Sequence, residues 1–139
     1  MIASIIARLK EAGTPFRIVG GAAELADVKD HPPALPAAYA YEARERSAET
    51  ELINDVFQRT EVDISVVIVT GNLSKANNAA AADDLTNLKI FVRGQLLGFM
   101  PAGAENPLMH VEGELQQAVG GTVWFEDVFI TAYYQESQP

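Results

Sequence analysis

Between about Val56 and Val69 the chain alternates with a period of two: Val62, Ile64, Val66 and Ile68 fall on one side, Arg59, Glu61, Asp63 and Ser65 on the other. Successive side chains of an extended strand point to opposite faces, so this pattern demands a sheet with one buried and one exposed face. Such a strand needs partners. Ala37 to Arg46 offers one, joined to it through the polar residues Ser47 to Asp55 as a long hairpin loop. A further hairpin is written around Gly120-Gly121, a pair that tolerates the positive φ angles of a tight two-residue turn. With a loop of that length Val111 faces Ile130, Met109 faces Ala132 and Gly113 faces Val128, and this face is expected to be core.

Helices stand before and between the strands. Ile2, Ile5, Ile6, Leu9 and Ala12 recur at helical spacing, and Gly13 and Pro15 supply the stop. Phe16 to Val19 suits a short strand closed by Gly20-Gly21, and Asp30 to Pro36, with three prolines, reads as an irregular connection. Thr70 to Ala82 looks loose and mobile at its tip. From about Asp83 to Leu97, Leu85, Leu88, Val92, Leu96 and then Phe99 line one side of a helix, with Asp83 and Asp84 at the positive end of its dipole. Gly94 costs that helix about 1 kcal/mol relative to Ala, so something is expected to press closely there. Gly98 and Pro101 end it. The order predicts an α+β fold: a mainly antiparallel sheet, an N-terminal helix and a second helix packed on it, and a C-terminal β-hairpin. No internal repeat or boundary divides residues 1–139, which read as a single domain.

Composition narrows the function. Ten basic against nineteen acidic residues give a formal charge of −9 and a pI near 4.6, which repels phosphate and anionic lipid. The start, MIASIIARLKEAG, places Arg8 and Lys10 after its apolar residues, unlike a secretory signal, and no apolar run approaches the ~20 residues that span a bilayer. With no cysteine, disulfides and thiolate metal sites are excluded, and a reducing cytosol is the expected compartment.

Candidates for chemistry are weak. The hairpin register puts His110, Glu112 and Glu114 on one face with Asp127 across from Glu114. Facing carboxylates repel unless a cation or water screens them. Strand neighbours two apart are separated by roughly 7 Å, too far for all four to hold one ion, so a solvated face is the favoured reading. His31 stands beside Pro32-Pro33 with no nucleophile motif around it, and Gly20-Gly21 lacks the spacing and the lysine of a phosphate loop. Arg44, Arg46 and Arg59 are interspersed with glutamates, which gives nucleic-acid readout no support. The sequence points to no catalytic residue, no cofactor and no metal.

The apolar pattern is more informative. Val123, Phe125, Phe129 and Tyr133 share the hairpin face of those acids, and Ile90 and Leu97 stand off the main stripe of the second helix. An antiparallel sheet commonly keeps one polar face. Either both faces are internal, or Phe125, Phe129, Tyr133, Ile90 and Leu97 belong to an oligomer interface, where aromatics concentrate. The second reading is favoured, because so short a chain rarely covers both sides of a sheet.

MIASIIARLKEAG followed by FRIVGGAAEL resembles the start of tail terminator (tail completion) proteins of long-tailed phages, closest to the version of Mu-like phages and prophages. PAAYAYEARER, QRTEVDISVVIVTGN, LTNLKIFVRGQLLGF and GGTVWFEDVFITAYY are similar in kind and order, so the resemblance spans nearly the whole chain. It implies a subunit of a homo-oligomeric ring, usually a hexamer, that caps the finished tail tube. Such a ring ends polymerisation and offers a docking surface to the head. Its implied partners are the tail tube protein and a head–tail connector or neck protein. DNA passes through the lumen without specific binding, and no membrane is involved. The implied location is the virion tail, with host cytoplasm during assembly. A neck or connector protein of the same virion is the nearest alternative; a small metal-dependent enzyme or ligand-binding domain is the alternative from another class.

Overall fold

A computed structural model describes residues 1–50, 52–71, 78–119 and 121–138, with side chains described for all of these but 78–83 and 119. The elements are α1 (Ile2–Leu9), β1 (Ile18–Gly20), α2 (Ala22–Ala26), β2 (Ala37–Ser47), β3 (Phe57–Gly71), α3 (Asn78–Leu96), β4 (Met109–Val119) and β5 (Thr122–Glu136). The five strands form one sheet in the order β1-β2-β3-β5-β4, antiparallel throughout except for the short parallel pair β1–β2. The fold is α+β, as the element order implies.

The alternation of β3 organises the core. Val62, Ile64, Val66 and Ile68 are fully buried on the face that carries the helices. They pack with Ile5 and Leu9 of α1 and with Leu88, Val92 and Leu96 of α3. Pairing of Ile64 with Phe129 and of Ile68 with Phe125 carries the same face into β5. The opposite face is closed only at one end. There Tyr39, Val67 and Val69 are covered by Ile18, by Leu25 and Val28 around α2, and by Leu35 of the proline-rich connection. Gly20 lets that corner turn, since a Cβ on it would lie 2.9 Å from Glu24 Cβ. Glu24 in turn accepts a hydrogen bond from the Gly21 amide at 3.1 Å, so the glycine pair is a turn into α2.

Three expectations are corrected. The β4–β5 register matches a two-residue turn only near the turn, where Ala118 pairs with Val123 and Gln117 with Trp124. Irregularities between Leu115 and Gln117, and between His110 and Glu112, each shift it by one residue. Met109 therefore pairs with Ile130, and Gly113 with Asp127. Bulges of this kind admit an extra residue on one strand. Met109 and Val111, expected in the core, are 59% and 51% exposed. Gly113 instead marks a close approach on the helix-covered face: a Cβ there would meet the Phe125 ring at 2.8 Å.

The second helix starts at Asn78, not Asp83. Its alanine run, which reads as loose by composition, is the best helix-forming sequence available, and Asp84 is thereby placed in the second turn. Of the stretch Thr70 to Ala82, Thr70 and Gly71 end β3 and residues 78–82 open α3, while residues 72–77 lie outside the described ones. Among the described residues nothing presses on Gly94, whose absent Cβ would have no neighbour within 4 Å.

Candidate assembly surfaces

The acidic hairpin residues part company in three dimensions. Asp127 is on the helix-covered face and fully buried, not solvated. Its carboxylate accepts two bonds from Arg93 of α3, Nε to Oδ2 and Nη2 to Oδ1, both at 2.9 Å. His110 Nε2 donates to Oδ1 at 2.6 Å. A carboxylate only accepts, so Nε2 of His110 carries the proton. The bond to Asp127 raises the Arg93 guanidinium pKa further above its ordinary value, which fixes it as a cation. This cluster pins α3, β4 and β5 together. Long charged side chains that bond bidentately are well suited to that task.

Glu112 and Glu114 are exposed on the other face, where Glu114 sits directly opposite Glu126. Tyr41 donates its hydroxyl to Glu126 at 3.4 Å. Among the described residues no group of three or more His, Asp and Glu side chains is arranged to hold a metal ion. His31 lines a 490 Å³ apolar hollow with Tyr39, Val28 and Lys29, and its Nδ1 lies 3.0 Å from the Pro32 carbonyl oxygen.

The five residues assigned to an interface divide. Phe129 is fully buried and Phe125 is 8% exposed, both inside the helix-covered core. They are thus no free patch, because α3 already covers them. Lys89 lies over the Phe125 ring at 4.6 Å and His110 meets Phe129 edge-on at 5.4 Å. Tyr133 sits at the margin, its hydroxyl donating to Glu45 at 3.0 Å. Ile90 and Leu97 do face outward, 63% and 49% exposed.

Other exposed apolar residues lie in the loop of residues 47–55 and at the start of the strand that follows it. Leu52, Ile53, Val56 and Phe57 crown the β2–β3 hairpin, Ile53 being 86% exposed. The tip is nonetheless built. Thr50 Oγ1 accepts from the Leu52 amide at 3.3 Å and from the Phe57 amide at 3.0 Å, and Asn54 adopts a φ of 73°. Phe57 stacks on Tyr134, with centroids 4.9 Å apart and planes 5° from parallel. The sequence signal for this knob was the run LINDVF, overshadowed by its polar neighbours.

The family model of the phage tail terminator protein matches residues 2–139. The chain belongs to the phage tail terminator family. It is thereby a structural protein of the virion tail. Among solved structures, a chain from the virion of a native gene transfer agent particle shares the fold, with a TM-score of 0.56 and 16% identity over 97% of this chain and 95% of the other. No curated protein sequence matches.

Proposed function

We propose that the protein is the tail terminator of a long-tailed particle of the Mu-like group. On this reading its copies close into a ring, a hexamer, on the finished tail tube, end polymerisation and present the surface to which the head docks. The tail tube protein lies on one side and a connector or neck protein on the other, and DNA passes through the lumen. The family match over residues 2–139 carries the reading. The fold shared with a chain of a gene transfer agent virion supports it.

Physical features fit the role. A net charge of −9 disfavours a grip on phosphate, which a conduit for moving DNA must avoid. The buried Asp127 carboxylate is fully engaged in bracing the sheet, leaving it no part in chemistry. Ile90 and Leu97 offer exposed apolar contact area to a neighbour, whereas Phe125 and Phe129 belong to the core. The protein acts as a scaffold, without catalysis, cofactor or metal, and assembles in the host cytoplasm.

Addition of the purified protein to polymerising tail tube protein tests this. Rings visible by electron microscopy at tube ends, with tube length falling as the protein is added, are expected. Tubes that elongate as before, with bare ends, would refute it.

A further inference from the structure

The overall negative charge is unevenly placed. The segments from α1 through β1 (residues 2–20) and from Leu85 to Ala104 hold five of the ten basic residues, Arg8, Lys10, Arg17, Lys89 and Arg93, and one of the nineteen acidic ones, Glu11. Between Arg46 and Arg59, by contrast, there are three acidic residues and no basic one. Asp83 and Asp84 balance Lys89 and Arg93 within α3, and Arg93 is bound to Asp127, so Lys89 is the cation left beside the outer side of that helix, while the hairpin tip is negative.

Each of these regions also carries an exposed apolar surface. On α3, Ile90, Gly94 and Leu97 fall along one crest, since residues four and then three apart share a helix face. Ile90 and Leu97 are exposed, and the missing Cβ of Gly94 leaves an open notch between them. Glycine weakens a helix interior, and nothing among the described residues requires it there. The hairpin tip presents Leu52, Ile53 and Val56 on an arm that projects beyond the helices, for β2 is exposed from Glu42 to Ser47 apart from its pairing with β3. Its hydrogen-bonded loop and the Phe57–Tyr134 stack hold it in one shape, which lowers the entropy lost on docking.

Ring closure needs two different, complementary patches on every subunit. We propose that the β2–β3 hairpin tip of one copy docks on the α3 crest of the next, Ile53 entering the notch at Gly94 between Ile90 and Leu97, with Asp55 facing Lys89. This rests on the ring reading above and assigns its repeating contact.

The chain has no cysteine, so two introduced thiols report the contact alone. Both sites tolerate the change, because Ile53 is exposed and Gly94 has open space. A short bis-maleimide applied to Ile53→Cys/Gly94→Cys should give a covalent ladder ending at the ring size. Mixing the two single variants should give linked dimers and nothing larger. Independently, Ile53→Asp should weaken self-association about tenfold or more while leaving circular dichroism unchanged. Rings that form normally yet yield no linked species, together with an Ile53→Asp variant that assembles like the parent, would overturn the contact while leaving the ring intact. A parent protein that sediments as a monomer and is missing from tube ends would overturn the ring reading itself.

Discussion

Replacing Arg93 with Met should be among the most damaging changes outside the apolar core. It leaves the Asp127 carboxylate, fully buried in the parent, with only His110, at 2.6 Å, as a side-chain partner among the described residues. Removing one member of a buried ion pair typically costs about 3–5 kcal/mol, because the other charge stays desolvated. The Arg93 side chain is 34% exposed, so water can reach part of the space it vacates, and the lower end, about 3 kcal/mol, is expected. With a urea m-value of about 2 kcal/mol/M, that corresponds to a midpoint lowered by roughly 1.5 M. The companion Arg93→Met/Asp127→Val should be more stable than the single variant. Replacing both partners by apolar groups removes the stranded charge along with the bond. Urea titration of the three proteins at one concentration, followed by circular dichroism, provides the comparison. A double variant less stable than Arg93→Met would show that Asp127 is not a stranded anion, and the argument from burial would fail.

Phe129→Ala should destabilise the subunit by about 3–5 kcal/mol through cavity formation, since the ring is fully buried; thermal unfolding would expose this, and a folded, unshifted variant would mean α3 does not cover the ring. Tyr39, Tyr41 and Tyr133 have phenol pKa values raised above 10.0, chiefly by burial and further by Glu24, Glu126 and Glu45 respectively. Their contribution is complete below the unfolded value of about 10 and is lost as pH rises through the raised folded values, so Tyr39→Phe/Tyr41→Phe should unfold at higher pH than the parent in an alkaline titration.

The parts of the fold that can be read directly are those where residue type and geometry share a period. In β3 the alternation of Val62 to Ile68 with Glu61 to Ser65 predicts the side that meets the helices, though Ser65, expected on an exposed face, is buried with Val67 and Val69, and the helical spacing of Leu88, Val92 and Leu96 predicts the face laid on it. Bulges carry no such mark. Nothing about Val111 or the residue between Leu115 and Gln117 distinguishes it from a regular strand residue, yet each shift exchanges the faces of all that lies beyond it. Glu112, Gly113 and Glu114, between the two shifts, thus change faces, whereas Met109, beyond both, keeps the expected face with Ile130 and is exposed because that face lies away from α1 and α3. Asp127 misleads for a different reason. An acid in an alternating strand reads as solvent-facing until its cation, 34 positions earlier on α3, is brought above it. Its partner is specified by the tertiary fold, which local patterning does not contain.

The same reasoning relocates the assembly surface. Large side chains on both faces of the terminal hairpin suggest that a neighbour must cover one of them, but the subunit provides most of the cover itself. Helices α1 and α3 bury the face holding Phe125 and Phe129, while α2 and the proline-rich connection close one end of the other. Apolar residues left over after this accounting are the informative ones. They include Ile90 and Leu97 on the crest of α3, and Leu52, Ile53 and Val56 at the end of a projecting arm. Neither group can reach a core within its own subunit, because one sits on the outer side of a helix and the other beyond the helices. Lys89 stands beside the first and Asp55 within the second, opposite in sign although the chain as a whole is strongly acidic. Of the exposed apolar places, which also include Met109, Val111 and Leu115 on β4, these two carry charges of opposite sign and so fit a head-to-tail contact better than a self-complementary one. A self-complementary contact would join two like-charged patches in a closed pair, whereas a head-to-tail contact with the right rotation closes a ring.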